Sequence, residues 1–250
     1  DYDLAEGDAW QGSLNAVEFD SPGFSADDLR LRGSGTLQPP QNGTPGEVLA
    51  DLRVGAAGLR LDNAEVAAAL GSDLSATARV AHTGGGPLRI TGLDLDGADY
   101  GLTGDVTLSG LSAGFEADLD VALAAQDIAR FGPLAGRDLG GAADVTIDGT
   151  VTPLSGAFDL RIAGAGRDLA IGEPTVDRLI AGQSRLDLAA RRDETGLALE
   201  RLDIDTPGIA AEVEGAAATE GSRITYAAEL KDLSLLSPTG EGAGRARLSG

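Results

Sequence analysis

Residues 92–101 read "GLDLDGADYG", which places Asp94, Asp96 and Asp99 around Gly97. Closely spaced carboxylates are the ligand set of calcium loops. In the helix-loop-helix form of such a loop, however, Asp99 takes the position that needs glycine, and no helical pattern flanks the stretch. A second acidic constellation, Glu116, Asp118 and Asp120, has the spacing of one face of a strand. Its carboxylates therefore form a stripe rather than a buried acid–base pair, and the aromatic platforms of a sugar-cleaving site are missing. The single histidine, His82, lies beside "TGGGPL" (83–88). As a general base it would need a nucleophile and an orienting acid, so it reads as a solvent-facing loop residue. "TGGGPL" has no lysine and opens no helix, so it reads as a hairpin connection and not a phosphate loop. "GRDLGG" (136–141) reads as a turn after a short helix. "NGT" (42–44) matches a glycosylation sequon, but Pro45 follows it. The expectation is a non-enzyme with no metal and no cofactor.

Composition narrows the class further. The 250 residues carry 40 acidic and 19 basic side chains, a net charge of −21. A chain this acidic is not expected to bind nucleic acid or anionic lipid headgroups through bulk electrostatics. An apolar fraction of 42% argues against disorder. The absence of cysteine excludes disulfides and thiol catalysis and suits an oxidising compartment. There is no methionine and no signal peptide at Asp1, so the chain reads as a fragment or a processed product. No apolar run is long enough to span a membrane as a helix. Aromatics are only 4%, while glycine is abundant at 37 residues, a balance that fits a shallow repetitive β structure.

Strict alternation is the dominant pattern. "FEADLDVAL" (115–123), "ADVTIDGTV" (143–151), "AFDLRIA" (157–163) and "RITYAAEL" (223–230) each put apolar residues on one face and polar ones on the other. A period of two predicts half-buried strands. Turn residues divide the chain into about a dozen of them. Short helices are expected at 64–71, at 125–136 and at 173–182, the last opened by Glu173 and Pro174. Trp10 alternates with Gly12 and Leu14 and reads as core or groove lining.

The opening stretch recurs. "GSLNAVEFDSPGF" (12–24), "PLRITGLDLDGADY" (87–100) and "GLALERLDIDTPGI" (196–209) share one apolar pattern and end in a turn. Only the second copy has an acid at the Asp99 position; the others have Gly23 and Gly208. The shared feature is the turn, "DSPG", "DGAD" or "DTPG", so turn chemistry is preferred to an ion site. Each copy contains a step of three between apolar residues, as from Ile90 to Leu93. That step flips strand parity, and a bulge or tight turn between the halves in all three copies is expected to restore the apolar face. The flanking context also repeats, at offsets of 105 to 110 residues. The expected organisation is one continuous β segment over 1–250, with 1–50 the tail of a preceding repeat and repeats at 51–163 and 164–250.

One apolar face must be hidden. A closed sandwich, barrel or solenoid would hide it with its own side chains. An open, curled sheet would leave a trough that something apolar must fill. Few polar groups and no recurring charge are expected on that face. The predicted inward residues are Leu88, Ile90, Leu93, Leu95, Phe115, Leu119, Val121, Leu123, Val145, Ile147, Phe158, Leu160, Ile162, Leu197, Leu199, Leu202, Ile204, Ile224 and Tyr226.

The repeated "LRLDNAEVAAALG…LSATARV", "LRITGLDLDGADYGLTGDVTLSG" and "DIARFGPLAGRDLGGAADVTIDGTVTPLSGAFDLRIAG" resemble the TamB family, the translocation and assembly module related to AsmA-like proteins of Gram-negative bacteria. The likeness covers essentially the whole chain and rests on repeat texture, not on a catalytic motif. It implies an all-β, elongated curled sheet (a β-taco with an open groove) and a few short helices. It implies a periplasmic location, with tethering to the inner membrane through a segment absent from this chain. It implies phospholipid acyl chains as cargo, moving between inner and outer membranes, and a role in outer-membrane protein assembly. An Omp85-type partner, TamA, would be engaged by regions outside this sequence. Unfolded outer-membrane strands pairing with a sheet edge are a second possible cargo. A closed β-solenoid, structural or adhesin-like and without lipid, is the alternative.

Overall fold

The computed structural model describes residues 8–110, 114–218, 221–236 and 246–250. The strands are β1 (Ala9–Ser21), β2 (Phe24–Gln38), β3 (Glu47–Ala57), β4 (Arg60–Leu61), β5 (Leu74–Thr83), β6 (Leu88–Asp96), β7 (Tyr100–Ser109) and β8 (Glu116–Ala125), followed by β9 (Gly140–Thr152), β10 (Ala157–Ala170), β11 (Gln183–Asp193), β12 (Gly196–Asp205), β13 (Ile209–Ala218), β14 (Gly221–Leu230) and β15 (Ala246–Ser249). The helices are α1 (Ala64–Leu70), α2 (Gly132–Ala135) and α3 (Pro174–Ile180), with 3₁₀ turns at Ile128–Phe131 and Leu233–Leu236. The fold is all-β. Strands follow one another in an antiparallel sheet in chain order, except that β4 lies against β2 and β3 passes directly to β5. The sheet is open, since β1 and β15 end the order and do not pair with each other. All three expected helical stretches form, and each is short.

The chain divides into two compact units, Asp1–Val121 and Ala122–Gly250. In the first, register aligns Leu14, Leu31, Val54, Ala76, Leu95 and Leu102 in one file across six strands. The opposite face carries polar pairs such as Asp51–Arg79, joined at 2.9 Å. In the second, Ile147, Ile162, Leu188, Leu202, Val213 and Tyr226 form an equivalent file. Asp148 and Arg161 face each other on its polar side at 3.4 Å.

The step of three has the expected remedy in two of its copies. Register shifts by one residue between Ile90 and Leu93 and again between Leu199 and Leu202. Gly92 takes a φ of 58° there, and its N–H donates to Asp105 Oδ1 at 2.7 Å, which fixes the first bulge. The first copy differs. Leu14, Asn15, Ala16 and Val17 pair in unbroken register with Leu31, Arg30, Leu29 and Asp28. With no extra residue, parity carries Val17 to the wet face, where it is 78% exposed. Ala16 continues the apolar file instead, opposite Leu29, and Phe19 packs against Phe24 at a centroid distance of 5.3 Å.

The recurrent turn has a mechanical role. α1 is capped by the Asn63 side chain, which accepts from Val66 N–H at 2.9 Å, and it ends at Gly71. The Tyr100 hydroxyl then donates to the Leu70 carbonyl at 3.1 Å. α3 begins with Pro174 at its first turn, as the sequence predicts. Its Leu179 carbonyl accepts from the Thr206 hydroxyl at 2.7 Å and from Gly208 N–H at 3.0 Å. The turn after the bulged strand therefore satisfies carbonyls at the end of the preceding helix, which would otherwise lack partners. A Cβ at Gly208 would lie 2.7 Å from the Leu179 backbone, so the close approach requires glycine. This is the physical content of "DGAD" and "DTPG".

Thr206 is 4% exposed, and its hydroxyl both donates to Leu179 and accepts from Ile209 N–H at 3.0 Å. Thr206→Val keeps the shape and strands both partners, so it should cost about 1–3 kcal/mol in urea unfolding. At Gly149, φ is 135° and a Cβ would sit 2.0 Å from the Asp159 carbonyl oxygen. Gly149→Ala should lower the urea midpoint by more than the roughly 1 kcal/mol of an ordinary glycine replacement.

Candidate functional site

The apolar files are the candidate site. In the second unit, four predicted positions, Leu160, Leu199, Ile162 and Leu202, fall in adjoining files, with Gly149, Ala190, Gly215 and Ile224 completing the Leu160 file. Val145 and Ile204 share a third file with Leu186 and Leu248. Phe158 and Leu197 lie in a fourth. In the first unit Leu88 and Ile90 lie opposite Leu108 and Val106, and Leu93 and Leu95 opposite Gly104 and Leu102. Leu119 and Val121, with Leu123 further along the same strand, are half-buried and alternate with exposed Asp118 and Asp120. Phe115 stands just before β8 and is exposed.

Several residues of these files were not singled out from sequence. Leu31 and Val54, Val106 and Leu102, and Leu186 and Leu188 line the same rows. Alternation does mark them, but Ala and Gly dilute the pattern in their strands. Trp10 lies over Gly33, where a Cβ would come within 2.7 Å of the indole, so it lines the apolar face as expected.

What distinguishes this face is its lack of cover. Among the described residues no large side chain is less than 2% exposed, and the fully buried positions are mostly alanine. Ile224 is 61% exposed and Leu197 45%. In the second unit, Phe158, Leu197 and Ala217 border a recess of about 550 Å³ at the end of the apolar files.

Two basic residues enter the files, where no recurring charge was expected. Arg192 sits in register between Phe158 and Leu197 and borders the same recess. His82 sits between Val48 and Leu88. It is not in a loop: β5 runs through it, its ring is half-buried, and a ring nitrogen lies 3.4 Å from the Pro87 carbonyl. In each case the strand before the hairpin continues a residue or two past the end of its apolar run, so its last inward position is basic. "TGGGPL" itself is the hairpin connection, closed by Gly86 N–H on the Thr83 carbonyl at 2.7 Å.

The acidic stripe of Glu116, Asp118 and Asp120 is exposed along β8. Among the described residues no group of three or more His, Asp or Glu side chains is placed to hold a metal ion. No helix among them is long and apolar enough to cross a membrane. Comparison with protein families, with characterised proteins and with solved structures finds no match to this chain.

Three carboxylates of the second unit, exposed Asp193 and Asp205 at strand ends and half-buried Asp232 just after β14, are held below the usual aspartate range. The Thr195 hydroxyl and backbone N–H stabilise ionised Asp193, the Lys231 ammonium stabilises Asp205, and the Ser234 hydroxyl and N–H stabilise Asp232. A folded-state pKa below the unfolded 3.8 makes the folded form prefer the ionised group, so this stability is present above pH 4 and lost as pH falls through the lowered values. Urea midpoints should be flat from pH 7 to 5 and decline below 4. The decline should be shallower in Asp205→Asn.

Proposed function

We propose that the apolar face carries the acyl chains of phospholipid, without catalysis. The protein then serves as part of the periplasmic span of a TamB-like lipid-transfer protein. The observation that supports this reading is the run of apolar files whose large side chains stay accessible. A file crossing six strands extends about 24 Å at a strand spacing of roughly 4.8 Å. One leaflet of a bilayer contributes about 15 Å of hydrocarbon, so an acyl chain fits along such a file. Each methylene taken out of water contributes about 0.8 kcal/mol. Backbone polar groups do not oppose this, because the ladder already pairs them. Files of Leu, Ile, Val and Ala, with little hydrogen-bonding capacity, suit a chain that slides rather than one that is selected.

The resemblance to TamB-like proteins supports a periplasmic setting, tethering to the inner membrane, and transfer toward the outer membrane with help to outer-membrane protein assembly. It places contact with an Omp85-type partner in other regions of the protein. A closed, lipid-free solenoid is the weaker reading, because such a core would bury its large apolar residues fully.

A photo-crosslinking amino acid at Leu160 or Leu202 should capture phospholipid in cells, while Arg161 and Asp118 should give none. Leu160→Glu should abolish lipid capture at a cost in stability of about 1 kcal/mol. In a sealed core the same uncompensated charge would cost several kcal/mol. Silence at both leucines in a folded protein would overturn the lipid reading.

A further inference from the structure

A second recess bordered by described residues is not on the apolar face. It measures about 1240 Å³ and lies on the polar face of the first unit, over β1, β2, β3, β5 and β6. Its floor is strand backbone, that of Gly12 and Gly33 included. Among the described residues three arginines line it, Arg32, Arg53 and Arg79, against a single acid, Asp51. In a chain of net charge −21 this is a local reversal of sign.

Arg32 and Arg53 stand directly opposite each other on neighbouring strands. Like charges in that relation destabilise a sheet unless something sits between them. The nearest acids are engaged elsewhere. Asp51 pairs with Arg79 at 2.9 Å, and Asp28 pairs with Arg30 at 2.7 Å. Asp94 is two strands from Arg53, beyond Thr77, and does not border the recess. Among the described residues neither Arg32 nor Arg53 has an acidic partner. Ser13 flanks Arg32 and Thr77 flanks Arg53 in the same file, each adding a hydroxyl.

We propose that Arg32 and Arg53 form a binding site for a phosphate ester on a hydroxyl-rich molecule, such as a sugar phosphate or a polyol-phosphate headgroup. Two guanidinium forks present more parallel N–H donors than a two-oxygen carboxylate accepts, whereas a tetrahedral phosphate offers three free oxygens. The recess is far larger than one phosphate, and its Ser, Thr, Asn and Gln side chains can hydrogen-bond the hydroxyls of the remainder. No aromatic side chain among the described residues borders it, so the lining offers hydrogen bonds rather than stacking, which suits a sugar or polyol better than a base. The site is on the face opposite the apolar files and does not depend on their function.

The test is amide NMR of the 250-residue chain titrated with glucose 1-phosphate, inorganic phosphate and phosphatidylglycerol vesicles. Saturable shifts are expected at Ser13, Arg32, Ser34, Arg53 and Thr77. The double variant Arg32→Gln, Arg53→Gln should weaken binding at least ten-fold while the melting temperature without ligand stays the same or rises, and Arg161→Gln should leave binding unchanged. Saturation by the soluble ester identifies a free phosphate ligand. Saturation by vesicles alone identifies a lipid headgroup. Shifts that never saturate, shifts that persist in the double variant, or no shift with any of the three probes would overturn the proposal.

Discussion

Every apolar file in this protein exists only while cross-strand register is kept to the residue. Side chains alternate with a period of two, so a slip of one would turn a strand's leucines into the water and its aspartates onto the apolar face. No layer of helices lies over the files to enforce the choice. Register must therefore come from the strands and their connections: short hairpins, bulges held by Gly92 and Asp105, and glycines such as Gly149 where strands approach too closely for a Cβ. The thin core of alanines follows from the same condition. A sheet half-wet on its apolar side gains less from burial than a sandwich does, and relies more on its continuous hydrogen-bond ladder.

The short helices act as stops rather than as a layer. α1 and α3 each occur between strands where the chain must turn back, and the recurrent Asp-rich or Thr-Pro-Gly turn closes on the carbonyl at their ends. This explains why a stretch that looks like an ion loop recurs without the acid at the Asp99 position. The conserved geometry within the chain is that of a turn meeting a helix end, met once by a tyrosine hydroxyl and once by a threonine.

Charge divides the two faces. The polar side is laced with cross-strand pairs such as Asp51–Arg79 and Asp148–Arg161, which are exposed and individually worth little. They matter more as register markers, since a slip would set like charges against each other. Arg32 against Arg53 breaks that rule, and Arg192 and His82 break the apolar one. These exceptions carry more functional information than the regular pattern, because each has a local cost that the fold alone does not require.

Much of this was legible in the sequence. Alternation identified the all-β class, the short helices and most residues of the apolar files, because side-chain parity is a local property of a strand. The spacing from Ile90 to Leu93 and from Leu199 to Leu202 announced two bulges. The same spacing at Leu14 to Val17 misled, since whether a strand absorbs an extra residue depends on its partner, and β2 pairs straight through. At the strand end beside "TGGG" the sequence makes His82 look like a solvent-facing loop residue, while the ladder with β3 and β6 extends through it. Which residues share a face was thus determined by the sequence alone. Which of them stand side by side, as Arg32 does with Arg53 and Arg192 with Leu197, was decided only by tertiary structure, because pairing between strands is a non-local choice that no single strand's pattern contains.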